Sequence, residues 1–126
     1  NLLIELNRRR LIQAVLSNKP HDATRSCVSS LFTGYSFDHV AGAKPDVPLK
    51  PEPDAALDIA HRLGVVPHRW LFLGDTNTDM LTATSAGMYP VGALWGFRDA
   101  AELRDSGAKT LIDHPMQLLN VLDGRT

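Results

Sequence analysis

A chain of 126 residues, 44% hydrophobic and 21% charged, has the composition of one ordinary globular domain and excludes a disordered or low-complexity architecture. Thirteen basic residues against fourteen acidic ones leave a formal charge of -1, which favours neither nucleic acid nor an anionic membrane, so any affinity for phosphate has to be local. The single cysteine, Cys27, cannot close an intramolecular disulfide, and no apolar run nears the roughly 20 residues of a spanning helix, which points to a reducing, cytoplasmic setting without a membrane segment.

Leu2, Leu3 and Leu6 stand at near-helical spacing, with Arg8, Arg9 and Arg10 where a last turn favours basic residues, so the chain is expected to open on a helix. Asn1 in place of an initiator methionine, without signal-peptide features, reads as a cut edge, and the start of that helix is expected upstream. Residues 11–16 form an almost continuous apolar run broken only by Gln13, the pattern of a strand buried on both faces of a parallel sheet. Ser17-Asn18-Lys19-Pro20 stops it. Pro20 suits the first turn of a helix whose buried face carries Thr24, Cys27, Val28, Leu31 and Phe32, with Gly34 as its terminator.

A short extended piece over residues 37–40 leads to a stretch from Val47 to Pro53 in which three prolines forbid regular hydrogen bonding, so Lys50 lies in a stiff loop. Ala56, Ile59, Ala60 and Leu63 then share one face of a helix over residues 53–63 that Gly64 ends. Residues 70–73 are the next buried strand, cut off by Gly74-Asp75-Thr76-Asn77-Thr78-Asp79, and residues 80–86 the next helix, ended by Gly87. A strand over residues 89–94 and a helix over residues 100–106 follow, the helix capped by Asp99 and stopped by Gly107. Residues 110–112 make a last strand, and residues 116–122 a closing helix with Pro115 in its first turn. Strands and helices alternating in this way define an α/β fold built on a parallel sheet, one domain over residues 1–126.

Ligands of doubly wound sheets bind beyond the carboxyl ends of the strands, so the polar residues just after each apolar run carry the chemistry. These are Ser17 and Asn18, Lys50 in its loop, and Asp75 with Asp79. The two aspartates lie four apart across a strand-to-helix turn, where both can reach one site, and hard oxygen ligands of this kind suit Mg²⁺. Taken singly each has a plainer reading: Ser17-Asn18 as a strand end and helix cap, Lys50 as surface charge, Asp79 as the cap of the helix it precedes, Asp75 as a turn residue. The five histidines show no metal-ligand spacing and are read as structural, and Cys27 as a small hydrophobe.

The segments LSNKP, VPLKPEP, LGDTNTDM and VGALWGF, in this order and spanning nearly the whole chain, resemble the later motifs of phosphatases of the haloacid dehalogenase superfamily, nearest the phosphoglycolate phosphatases. The resemblance implies a Rossmann-like doubly wound parallel sheet, a Mg²⁺ cofactor and hydrolysis of a small phosphorylated metabolite through an aspartyl phosphate. It implies that the Ser17 hydroxyl and the Asn18 backbone N–H, the latter where the next helix begins, donate to a phosphoryl oxygen, and that Lys50 faces both phosphate and nucleophile. Asp75 would bind the metal directly, and Asp79 would hold Lys50 or bind the metal through water, with Thr76 and Asn77 lining the turn. Trp95, Gly96 and Phe97 match a loop of the family and are read as packing.

The family's first motif, an apolar strand ending in DxDGT with the nucleophile, and its substrate-selecting cap have no counterpart in these residues. The resemblance places that strand at the centre of the sheet, between the strands read over residues 11–16 and 70–73. The expectation is therefore a portion of a longer protein, inactive by itself, whose open strand edges favour self-association. Within the same chemistry pyrophosphate hydrolysis and sugar-phosphate mutase activity stay open. A non-catalytic phosphate-binding or interaction module is the alternative of another class.

Overall fold

The computed structural model describes residues 2–31, 37–96 and 99–124. In chain order they form α1 (Leu2–Arg8), β1 (Ala14–Pro20), α2 (His21–Leu31), β2 (His39–Ala43), α3 (Asp54–Leu63), β3 (Leu71–Gly74), α4 (Asn77–Ala86), β4 (Tyr89–Ala93), α5 (Ala100–Asp105), β5 (Thr110–Ile112) and α6 (Leu118–Asp123), with short 3₁₀ turns at Pro67–Arg69 and Pro115–Gln117. Every described ladder is parallel.

Local chemistry sets most of the helix ends. Gly64 and Gly87 close α3 and α4 in the left-handed conformation, at φ 70° and 75°, where a residue with a β-carbon would be strained. Thr76 and Asp99 cap α4 and α5, their side chains accepting from the backbone N–H of Asp79 and Glu102. The helix α4 thus begins at Asn77, three residues before the expected start, and Asp79 sits inside its first turn rather than capping it.

The strand β1 also departs from expectation, beginning at Ala14 and running to Pro20. Leu11 and Ile12 lie outside it, 37% and 46% exposed. The physical reason is the turn after α1, where Arg10 takes a left-handed φ of 58°, followed by a clasp between Gln13 and Asp38. The Gln13 N–H donates to Asp38 Oδ2 at 2.7 Å and the Asp38 N–H to the Gln13 carbonyl at 2.8 Å, so the β1–β2 ladder starts just after them. At its other end the register shifts between Leu16 and Pro20, an irregularity that holds Ser17 and Asn18. In α2, Thr24 is buried as expected, whereas the side chains of Cys27, Val28 and Leu31, and all of Phe32 and Gly34, lie outside the described residues.

The core follows from strand alternation. Leu71 and Leu73 point to one face of the β3–β4–β5 sheet and pack with Leu6 of α1, Val91, Ile112 and Leu118 of α6. Trp70 and Phe72 point to the other and pack with Ala56 and Ala60 of α3 and Ala83 and Ala86 of α4, small residues that let the two helices approach closely. Helices thus cover both faces, the doubly wound arrangement expected. Met80, Val91 and Leu103 are fully buried, each contributing about 1.5–3 kcal/mol by its removal from water.

The parallel strands do not form one sheet. One sheet holds β1 and β2, the other β3, β4 and β5, and no ladder joins β1 to β3. The break falls where the resemblance places an additional strand. Leu16 of β1 nevertheless packs on the same cluster as Trp70 and Phe72, so the two sheets share a core.

His39, on β2, has its pKa lowered from the usual 6.5, first by burial and then by the positive charges of Arg62 and Lys44, with Asp58 opposing and His21 adding to the effect. A histidine held neutral in the fold contributes stability that is complete above pH 6.5 and is lost as pH falls through its lowered folded value. His39→Gln is expected to flatten the stability profile in that window, measured by urea unfolding at stepped pH; a profile identical to wild type would count against this coupling.

Candidate active site

Ser17 and Asn18 lie at the irregular end of β1 and serve different purposes. The Ser17 hydroxyl oxygen accepts from the Lys19 N–H at 3.1 Å, which leaves its own hydrogen available to donate. The Asn18 side chain spans to the proline-rich loop: its Oδ1 accepts from the Lys50 N–H at 3.1 Å and its Nδ2 donates to the Lys50 carbonyl at 3.3 Å. The helix terminus expected beside the Asn18 N–H begins only at His21, because Asn18 belongs to the strand. This side-chain clamp on Lys50 was not foreseen from the sequence, where a loop carbonyl and N–H 32 residues away leave no pattern.

Two hydrogen bonds of this kind are worth about 0.5–1.5 kcal/mol each. Asn18→Ala is therefore expected to loosen the Lys50 loop at a cost of about 1–2 kcal/mol. Unfolding midpoints check this, and an unchanged midpoint would deny the clamp any part in holding the loop.

The clamped loop aims the Lys50 side chain at α4. Its Nζ lies 2.7 Å from Asp79 Oδ1, and the two side chains are only 12% and 11% exposed. Asp79 Oδ2 in turn accepts from the Asp75 N–H at 3.2 Å. Both carboxylate oxygens are thus engaged, in the first turn of α4 where the helix dipole favours negative charge. Gly74 makes the arrangement possible, since a β-carbon there would collide with the Asp79 side chain.

The Asp75 carboxylate is placed differently. Among the described residues it has no hydrogen-bond or ion-pair partner, and it opens with Lys50 and Asp79 into a cleft of about 280 Å³ between the two sheets. Leu16 closes the cleft from β1, Phe72 and Leu73 from β3, and Trp95 from the turn after β4. Trp95 is 47% exposed, so it is a cleft wall rather than the packing residue expected. Phe97 lies outside the described residues. Ser17 and Asn18 line a smaller crevice beside the cleft, which Leu16 and Lys50 also border. The structure thus gathers Lys50, Asp75 and Asp79 in one place, with Ser17 and Asn18 adjoining. Thr76 caps α4 and Asn77 is its first residue, both on the turn between the two aspartates.

Among the described residues no three His, Cys, Asp or Glu side chains cluster tightly enough to cage a metal. The donor set nonetheless fits Mg²⁺, which is held by one or two carboxylates and keeps its remaining positions for water and substrate phosphate. Asp75 offers that carboxylate. Asp79, engaged on both oxygens, is positioned to hold Lys50.

A doubly wound α/β domain with carboxylates and an ammonium converging past the ends of its parallel strands belongs among the α/β enzyme folds that handle small ligands at that rim. The model of the haloacid dehalogenase-like hydrolases matches residues 1–87, and the chain belongs to that family. It is 31% identical over 117 residues to a phosphoglycolate phosphatase of Salmonella choleraesuis, covering 93% of this chain and 46% of that protein. It is 32% identical over 131 residues to an N-acetylmuramic acid 6-phosphate phosphatase of Pseudomonas aeruginosa, covering 97% of this chain and 54% of that protein. A crystal structure from Lactobacillus delbrueckii subsp. bulgaricus superposes with a TM-score of 0.89 at 33% identity, over 96% of this chain and 50% of the other. The chain spans about half the length of these relatives. No helix among the described residues is long and apolar enough to cross a membrane.

Proposed function

We propose that in the full-length protein these residues hold the cation and the phosphate of a Mg²⁺-dependent phosphomonoesterase acting on a small phosphorylated metabolite, with 2-phosphoglycolate as the leading substrate. The observation that carries this reading is the Asp75 carboxylate, without a hydrogen-bond or ion-pair partner among the described residues, beside an ammonium, Lys50, that Asp79 locks in place at the same cleft. Phosphoglycolate phosphatases among the relatives support the substrate. The N-acetylmuramic acid 6-phosphate phosphatase supports a sugar phosphate as second choice.

In this reading Asp75 holds the Mg²⁺, which when bound neutralises charge on the transferring phosphoryl group. An ammonium carries three hydrogens and Asp79 uses one, so Lys50 retains two for phosphoryl oxygens. The Ser17 hydroxyl supplies a further donor. The resemblance assigns the attack to an aspartate of the DxDGT motif: its carboxylate oxygen bonds to phosphorus, the bond to the leaving oxygen breaks, and that oxygen takes up a proton. Water then hydrolyses the aspartyl phosphate. The open edges of β1 and β3, facing one cleft, are where a strand carrying that aspartate would pair.

Incubation of the full-length protein with Mg²⁺ and a panel of 2-phosphoglycolate, sugar phosphates and pyrophosphate tests the reading. Phosphate release from one monoester, fastest with 2-phosphoglycolate, is the expected result. Phosphate binding by calorimetry with no turnover on any member would sink the hydrolase and leave a phosphate-binding module.

A further inference from the structure

Gly96 follows Trp95 in the turn after β4, and its backbone lies directly against the Asp75 side chain. A β-carbon at Gly96 would stand 2.5 Å from Asp75 Oδ2, 2.7 Å from its Cβ and 2.9 Å from its Cγ. These separations fall well inside the ~3.5–4.0 Å of a relaxed carbon–carbon contact. Rotating the carboxylate could move the oxygen away, but the backbone fixes Cβ, so the β3–α4 and β4–α5 turns themselves would have to part. Backbone conformation is not what demands glycine here, because positive φ occurs at Gly64, Gly87 and Gly107 and not at Gly96. The demand is for space, and the atoms that fill the space belong to Asp75.

We propose that Gly96 is a positioning residue for Asp75: lacking a side chain, it lets the turn after β4 close on this carboxylate and set the direction in which the oxygens face the cleft. The inference rests on the assignment of Asp75 to the cation. Mg²⁺ requires near-octahedral ligands at about 2.0–2.1 Å, whereas Ca²⁺ accepts looser geometry at about 2.3–2.6 Å. A shift of a few tenths of an ångström in Asp75 therefore penalises the smaller ion selectively.

The test is calorimetric titration of the full-length protein with Mg²⁺ and with Ca²⁺, without substrate, for wild type, Gly96→Ala and Asp75→Asn. Gly96→Ala is expected to weaken Mg²⁺ on the order of tenfold and Ca²⁺ by less than about threefold. Asp75→Asn is expected to remove most of the affinity for both. If Asp75→Asn loses Mg²⁺ while Gly96→Ala binds both ions like wild type, or weakens both in proportion, the role of Gly96 is overturned and that of Asp75 stands. Retention of Mg²⁺ by Asp75→Asn overturns the cation assignment and this inference with it. Should Gly96→Ala not fold, the double variant Gly96→Ala/Asp75→Gly, which removes the Asp75 Cβ as well, decides: recovery of folded protein identifies Asp75 as the obstruction, and continued failure refutes the proposal.

Discussion

Asp75→Ala is expected to abolish Mg²⁺-dependent phosphate release by the full-length protein while leaving its thermal midpoint unchanged or raised. The loss follows from the absence of a substitute. Asp79 has both oxygens engaged, and among the described residues no cluster of three ligating side chains stands ready to take the cation instead. A bound cation supplies several kcal/mol of charge stabilisation, and about 4 kcal/mol corresponds to roughly a thousandfold in kcat/KM. The retained stability follows from the same geometry, since among the described residues the Asp75 carboxylate has no hydrogen bond or ion pair to lose. Removing a half-buried carboxylate without a partner relieves desolvation rather than breaking a contact. Steady-state kinetics alongside calorimetric melting checks both halves. A midpoint that falls together with activity would assign Asp75 to the fold instead of the chemistry.

The Lys50–Asp79 pair predicts the opposite pattern. Two opposite charges 2.7 Å apart and almost shielded from water stabilise each other, but removing one strands the other in a poorly solvated position. Lys50→Met and Asp79→Leu, singly, are each expected to cost about 3 kcal/mol, which lowers the melting midpoint on the order of 10 °C. The double variant is expected to recover part of that loss, because no unpaired charge is left, while the Asp75 N–H still lacks its Asp79 acceptor. It is not expected to recover turnover, since the proposed mechanism has the Lys50 ammonium donate to phosphate. A double variant no more stable than the worse single one would show that the pair is not an isolated coupled unit. A double variant with wild-type turnover would remove Lys50 from the mechanism.

The elements legible in the sequence were those fixed by local chemistry. Gly64 and Gly87 are stops in the sequence pattern and adopt left-handed φ; Asp99 fits a cap and accepts from the Glu102 N–H. The error at β1 has a non-local origin. Residues 11–16 read as a buried strand on hydrophobicity alone, but pairing starts at a clasp with Asp38, 25 residues further on, and Leu11 and Ile12 are left outside it. At the site, Lys50, Asp75 and Asp79 were found as a pattern of residue types, and the structure brings them to one cleft. What could not be read was how they are held: by Asn18 gripping the Lys50 backbone, and by Gly74 and Gly96 giving room to the two aspartates. A signal existed for the glycines, because one ending a strand and one in the turn beyond another mark close backbone approaches.

The division of the strands into a pair and a triplet bears on how the molecule opens. A two-stranded ribbon is marginal by itself, and β1 with β2 depends on ties to the triplet. One of those ties, the contact of Lys50 with Asp79, is held in place by the grip of Asn18 on the Lys50 backbone and belongs to the proposed site, so ligand occupancy there is expected to be thermodynamically linked to the cohesion of the molecule. Amide hydrogen exchange should register this as two cooperative units, with the amides of β1 and β2 exchanging before those of β4, and phosphate together with Mg²⁺ slowing the first unit far more than the second.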